Sequence, residues 1–128
     1  MVSSIYAGIL ALLIVWLSLK VIKLRRSKKV ILGDGGETDL HHAIRAQGNA
    51  TEYIPISLIL LVLLELSGIT VWLVHLGGIG IIIGRLLHAK GLLNQSLRYR
   101  VLGMQFTFFT LITVASINIA YPIYKLFG

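Results

Sequence analysis

Four long apolar runs, separated by short polar breaks, set the pattern of this chain. The first extends from about Ser3 to Leu24, and no charged side chain occurs before Lys20. About twenty apolar residues suffice to cross the hydrocarbon core of a bilayer, so this run predicts a membrane-spanning helix. A basic loop follows, with Lys20, Lys23, Arg25, Arg26, Lys28 and Lys29 at and beyond the end of the run. Gly33-Asp34-Gly35-Gly36 is a loop signal, and Thr38 or Asp39 offers an N-cap for a second helix that passes His41, His42 and Arg45 and continues to about Ser67. Gly68 ends it. A third helix is predicted from Thr70 or Trp72 to Leu93, then a basic connection over Asn94 to Arg100, and a last span from about Val101 to Tyr124. The fold class is all-α, a polytopic membrane protein with four transmembrane helices, and residues 1–128 read as a single domain.

Composition supports the same reading, since 56% of residues are hydrophobic and only 13% charged, too little polar material to cover a water-soluble globule. The net charge of +7 does not point to nucleic acid, because the basic residues flank apolar runs instead of lining one face of a helix. They report orientation. All Lys and Arg except Lys125 lie in the first and third connections or in the helix ends beside them. The positive-inside rule makes that side cytoplasmic and puts both termini in the periplasm or its equivalent. The basic residues follow the first apolar run instead of preceding it, so that run reads as an uncleaved span and not as a signal peptide. With no cysteine, disulfides, a protein thiolate and Cys-ligated metal are excluded, and the histidines show no acidic spacing that suggests a metal site. Gly77, Gly78, Gly80 and Gly84 predict a close packing surface on the third helix, within one chain or between protomers.

The candidate chemistry lies at the start of the second helix. Arg45, Asn49, Glu52 and Tyr53 follow helical spacing and form one stripe of cation, amide, carboxylate and phenol, a set suited to a zwitterionic, peptide-like ligand. Pro55 removes a backbone donor just beyond it. On the third helix Arg85 and His88, three apart, share a face; an arginine that far into a span needs a partner, and Glu52 at a comparable depth is the expected one. Glu65 and His75 read as interfacial. From the residues alone, the stripe is equally an internal polar network or a ligand site.

The run Arg45-Ala46-Gln47-x-Asn49-x-x-Glu52-Tyr53-x-Pro55, with Gly84-Arg85-x-x-His88 in the third helix, resembles the signature of the MAPEG family, the membrane-associated proteins of eicosanoid and glutathione metabolism. Arg98-Tyr99-Arg100-x-x-Gly103-Met104 and the Gly-Asp-Gly-Gly loop further resemble a bacterial branch of it. The resemblance implies a homotrimer in the bacterial inner membrane, with glutathione bound between protomers near the cytoplasmic surface, acting as co-substrate against a lipophilic small molecule drawn from the membrane lipids. It carries glutathione contacts onto Arg45, Gln47, Asn49, Glu52, Tyr53, Arg85 and His88, and onto Arg25 or Arg26 of the first helix. Arg98 or Arg100 matches the arginine that stabilises the glutathione thiolate. Two positions depart from the pattern of conjugating members: His41 stands where an acid is common, and Leu92 where a tyrosine is. Expected function is therefore a glutathione transferase or peroxidase, with a non-catalytic binding or transport component of the inner membrane as the alternative.

Overall fold

A computed structural model describes all of residues 1–128 as four helices and no strand: α1 (Ser3–Lys28), α2 (Thr38–Leu66), α3 (Val71–Leu93) and α4 (Leu97–Phe127). Each is long and apolar enough to cross a membrane. Helices adjacent in sequence pack side by side, so the chain passes back and forth and α1 runs parallel to α3.

Local chemistry sets the boundaries. α1 extends one turn beyond its apolar run, to Lys28, because Lys29 takes a left-handed conformation and its N–H and that of Val30 both close on the Arg25 carbonyl. The loop after it uses Gly33, Gly35 and Gly36 at positive φ, where a side chain would be strained. Neither Thr38 nor Asp39 caps α2: Glu37 occupies the N-cap position without a side-chain cap bond, and Asp39 accepts only from the neighbouring Leu40 N–H. α2 passes Pro55 as one helix and stops at Leu66, before Gly68 at φ 81°. α4 begins four residues earlier than the apolar pattern suggests. The Ser96 N–H reaches the Gly91 carbonyl, the Ser96 carbonyl receives the Arg100 N–H, and the connection shrinks to Asn94, Gln95 and Ser96. Arg98 and Arg100 are thereby helical residues and not loop residues.

Only 27 residues are buried, and many large apolar side chains, Leu12 and Phe109 among them, lie on the outside. In a spanning bundle that outer surface faces acyl chains, which solvate it as well as a core would. The glycines of α3 pack inside the chain. A Cβ at Gly80 or Gly84 would strike Thr110 or Thr107 of α4, and one at Gly78 the Tyr6 ring of α1. Gly91 and Gly103 continue the seam at its far end, where added Cβ atoms would meet the backbones of Arg100 and His88. This lets α3 and α4 form the most extensive contact in the molecule.

At the end of the bundle opposite the basic loops, Glu65 and His75 are more than interfacial. The Glu65 carboxylate accepts from the Val2 and Ser3 N–H groups and from the Ser3 hydroxyl, at 2.7–3.3 Å, which caps the first turn of α1. His75 Nδ1 lies 2.6 Å from the Tyr6 hydroxyl.

Candidate functional site

The stripe on α2 divides in two for a geometric reason. At 3.6 residues per turn, Glu52 lies about 20° from Arg45 around the helix, whereas Asn49 and Tyr53 are rotated by about 40° and 80° toward the side of Ala46 and Ala50. That side is the buried one. Arg45 and Glu52 accordingly project outward, their side chains 46% and 54% exposed, and pair with each other at 3.4 Å. Gly48 makes room: a Cβ there would touch the Arg45 guanidinium. Asn49 and Tyr53 turn toward α3 and α4.

What they meet is Arg85. Its side chain is among the most deeply buried in the protein, 2% exposed, and its donors are all engaged inside the chain. Nε and Nη2 donate to the Thr107 hydroxyl at 3.2 and 2.9 Å, Nη2 also approaches the Met104 sulfur at 3.3 Å, and Nη1 donates to both the backbone carbonyl and the side-chain oxygen of Asn49. The Thr107 hydroxyl in turn donates a hydrogen bond to the Gly103 carbonyl at 2.8 Å. The guanidinium carbon sits 5.2 Å from the centroid of the Tyr53 ring, whose edge meets Phe108. No buried side-chain nitrogen or oxygen lacks a partner. Arg85 thus joins α2, α3 and α4, and its hydrogen-bond partner on α2 is Asn49. The expected Glu52–Arg85 pair does not form, because Glu52 lies on the far side of the stripe and bonds Arg45.

This arrangement sets the polarity of the site. Arginine has only donors, so the Asn49 atom that faces it is the carbonyl oxygen. The Asn49 NH2 donates to no other group of the chain, and the residue is half-exposed, at an angle around the helix between those of Arg45 and Tyr53. The open face therefore presents a guanidinium, an amide donor and one carboxylate.

His88, one turn beyond Arg85, is 3% exposed and packs against Gly103. Arg100 lines a polar cavity of about 210 Å³ with His42, Gln95, Ser96 and Leu92. The structure separates the two arginine candidates of α4: Arg100 reaches this cavity, and Arg98 projects from the helix with no partner. Arg25 and Arg26 stand at the end of α1, where they line an open cavity of about 420 Å³ with Lys29 and Ile31; Arg25 donates to the Gly33 carbonyl at 2.7 Å. Neither bonds to the α2 stripe within one chain. Gln47 points to the other side of α2, about 160° from Arg45. Sequence reasoning gave no site role to Thr107, to Met104, which entered only as part of the bacterial-branch motif, or to His42. The first two sit in an apolar span with no local signal of a buried partner, whereas His42 was visible one turn before Arg45.

The loop beside the site has its own charge pattern. Asp34 accepts from the Gly36 N–H and lies 2.9 Å from His41 Nδ1. The Gly36 hydrogen bond, with the His41 contact, holds this carboxyl below its ordinary value of 3.8. Lys28 bridges Glu37 and Asp39 at 3.7 and 3.6 Å.

Comparison with known proteins gives consistent results. The family model described as "MAPEG family" matches residues 3–120. The protein named "Inner membrane protein YecN" from Escherichia coli strain K12 is 40% identical over 126 residues, 98% of this chain and 96% of its own length. Its counterpart from Escherichia coli O6:H1 matches to the same extent.

Proposed function

The chain belongs to the MAPEG family, and from that premise we propose that it binds glutathione at the α2 stripe and uses the thiolate against a lipophilic electrophile, as a glutathione transferase or peroxidase. The observation that supports this most directly is the open face of α2, where Arg45, the free NH2 of Asn49 and Glu52 stand within two turns. Glutathione has two carboxylates, one ammonium group and two amide carbonyls. Arg45 suits a carboxylate, Glu52 the ammonium group, and Asn49 a carbonyl or carboxylate oxygen. Arg85 supports the site from inside: its donors are spent on Asn49, Thr107 and Met104, so it orients Asn49 and Tyr53 while lending its charge. His88, a glutathione contact by the family pattern, lies one turn from Arg85 on α3.

We assign thiolate stabilisation to Arg100, which lines the cavity beside His42, since a neighbouring guanidinium favours the ionised sulfur. In conjugation the sulfur forms a bond to carbon, the leaving group departs with its electron pair, and the thiol proton goes to solvent. The half-exposed stripe is open on its outer side, which accords with a homotrimer in which Arg25 or Arg26 of a neighbouring protomer closes the site. The proposed setting is the bacterial inner membrane, with the basic loops cytoplasmic.

The test is thermal unfolding of the purified protein with glutathione, followed by turnover with an aryl halide. A ligand that binds only the folded state at ten times its Kd stabilises by about 1.4 kcal/mol. No upward shift at millimolar glutathione removes the binding claim. A shift without turnover above a detergent blank, over several electrophiles and a lipid hydroperoxide, leaves a binding protein and removes the enzyme.

A further inference from the structure

A second feature lies on the opposite flank of the molecule, in the seam between α1 and α3. These helices make the slightest contact of the packed pairs and leave a furrow between them. Its deeper half is wholly apolar, a groove of about 370 Å³ lined by Ile9, Leu12, Leu13, Ile82, Leu86 and Trp16. Its outer half, about 330 Å³, shares Trp16 and Leu86 and ends in Lys20, Lys90 and Asn94. The two halves are continuous because the helices run parallel with their turns in register. Leu12 and Ile82, Trp16 and Leu86, and Lys20 and Lys90 lie on successive turns of the two helices, rising together toward the basic loops.

The furrow is polar and cationic at one end only. From Ile9 to Lys20 the rise is about 17 Å, close to the thickness of one leaflet's hydrocarbon, about 15 Å. Lys20 lies over the Trp16 ring at 4.9 Å and Lys90 over the Tyr99 ring at 4.6 Å, and neither has a carboxylate partner. A second copy of this chain is poorly supplied with acids to offer them, since its five already have partners of their own. All five of its acids are engaged: Asp34 with His41, Glu37 and Asp39 with Lys28, Glu52 with Arg45, and Glu65 with the start of α1. A zwitterionic headgroup would bring a cation of its own beside two ammonium groups.

We propose that this furrow is a binding site for one anionic phospholipid, its phosphate held between Lys20 and Lys90 with Asn94, and an acyl chain lying along the apolar half against Trp16. Tryptophan at the headgroup boundary and lysines reaching past an apolar stem to the surface suit that placement. The site is separate from the α2 stripe and does not depend on glutathione binding.

Trp16 and Trp72 are the only tryptophans, so Trp72→Phe leaves Trp16 as the sole reporter. The variant is reconstituted in phosphatidylcholine vesicles containing a minor fraction of either bromo-acyl phosphatidylglycerol or bromo-acyl phosphatidylcholine, and Trp16 quenching is compared. The anionic bromolipid quenches more at equal mole fraction, and its preference falls about fivefold for each of Lys20→Gln and Lys90→Gln. Circular dichroism of these variants verifies that the exposed substitutions leave the helices intact. Equal quenching by the two lipids overturns the proposal, as does a preference that survives the double substitution. Trp16 shielded from both bromolipids also overturns it, and identifies a protein partner over the furrow.

Discussion

Asn49 faces two ways, and its two ends are fixed by different neighbours. Arg85 claims the oxygen, which leaves the NH2 for the open face. Asn49→Asp is the sharpest test, because one carboxylate oxygen keeps the Arg85 bond while the other replaces a donor with a negative acceptor. The variant retains its unfolding temperature or gains, and loses glutathione affinity by about ten- to a hundredfold, the worth of one hydrogen bond to a charged group. Asn49→Leu, in contrast, strands the buried guanidinium and lowers stability by about 1–3 kcal/mol. Calorimetric titration beside thermal unfolding separates the two effects, and an Asp variant as unstable as the Leu variant denies the polarity. Asp34 gives a second prediction at this scale. Its carboxyl is depressed from 3.8 in the folded chain, first by the Gly36 N–H, so the bond it makes is complete above pH 3.8 and is lost as pH falls through the lower folded value. The Gly36 amide resonance will titrate with a midpoint below 3.8; a midpoint at or above that value contradicts the hydrogen bond.

At the level of elements, the α3–α4 seam decides how the site is built. Gly84, Gly91 and Gly103 let the two backbones meet, and only this approach brings Thr107 and Met104 onto Arg85. Gly103→Ala drives a Cβ into the His88 backbone, which cannot yield as a side-chain tip can, and costs about 1–3 kcal/mol. Gly8→Ala on α1, where the added Cβ meets nothing within 4 Å, is the matched control and raises stability by about 0.5–1 kcal/mol, the helix-propensity gain alone. Unfolding in mixed micelles measures both, and equal effects would show that α3 and α4 do not touch at Gly103. The glycines of α3 were visible in the sequence as a packing surface, but not their partner. Facing helices are chosen by the path of the chain, and a glycine has no side chain to announce what lies against it.

For the whole molecule, the charge asymmetry carries an orientation. All Lys and Arg except Lys125 gather at one end of the bundle, and the proposed topology puts that end in the cytoplasm. A reporter active only outside the cytoplasm, fused after Gly128, is expected to be active, and the same reporter in the Gly33–Gly36 loop inactive. The reverse pattern inverts the assignment. Both polar features belong to that end: the α2 stripe on one flank and the lysine-tipped furrow on the other.

Sequence alone determined the four spans, the family resemblance and the helical stripe, because hydropathy and 3.6-residue periodicity are local properties that each segment carries with it. The limits of α1 and α4 were less legible, since backbone closure at Lys29 and Ser96, and not hydrophobicity, ends and begins them. Tertiary structure decided the rest. How far α2 is rotated about its own axis determines that Arg45 and Glu52 look outward while Asn49 and Tyr53 look in. The approach of α4 to α3 determines that Arg85 is held by Asn49 and Thr107 instead of Glu52, and that Arg100, not Arg98, reaches the cavity beside His42. Each of these depends on contacts between residues far apart in the chain, which no local pattern encodes.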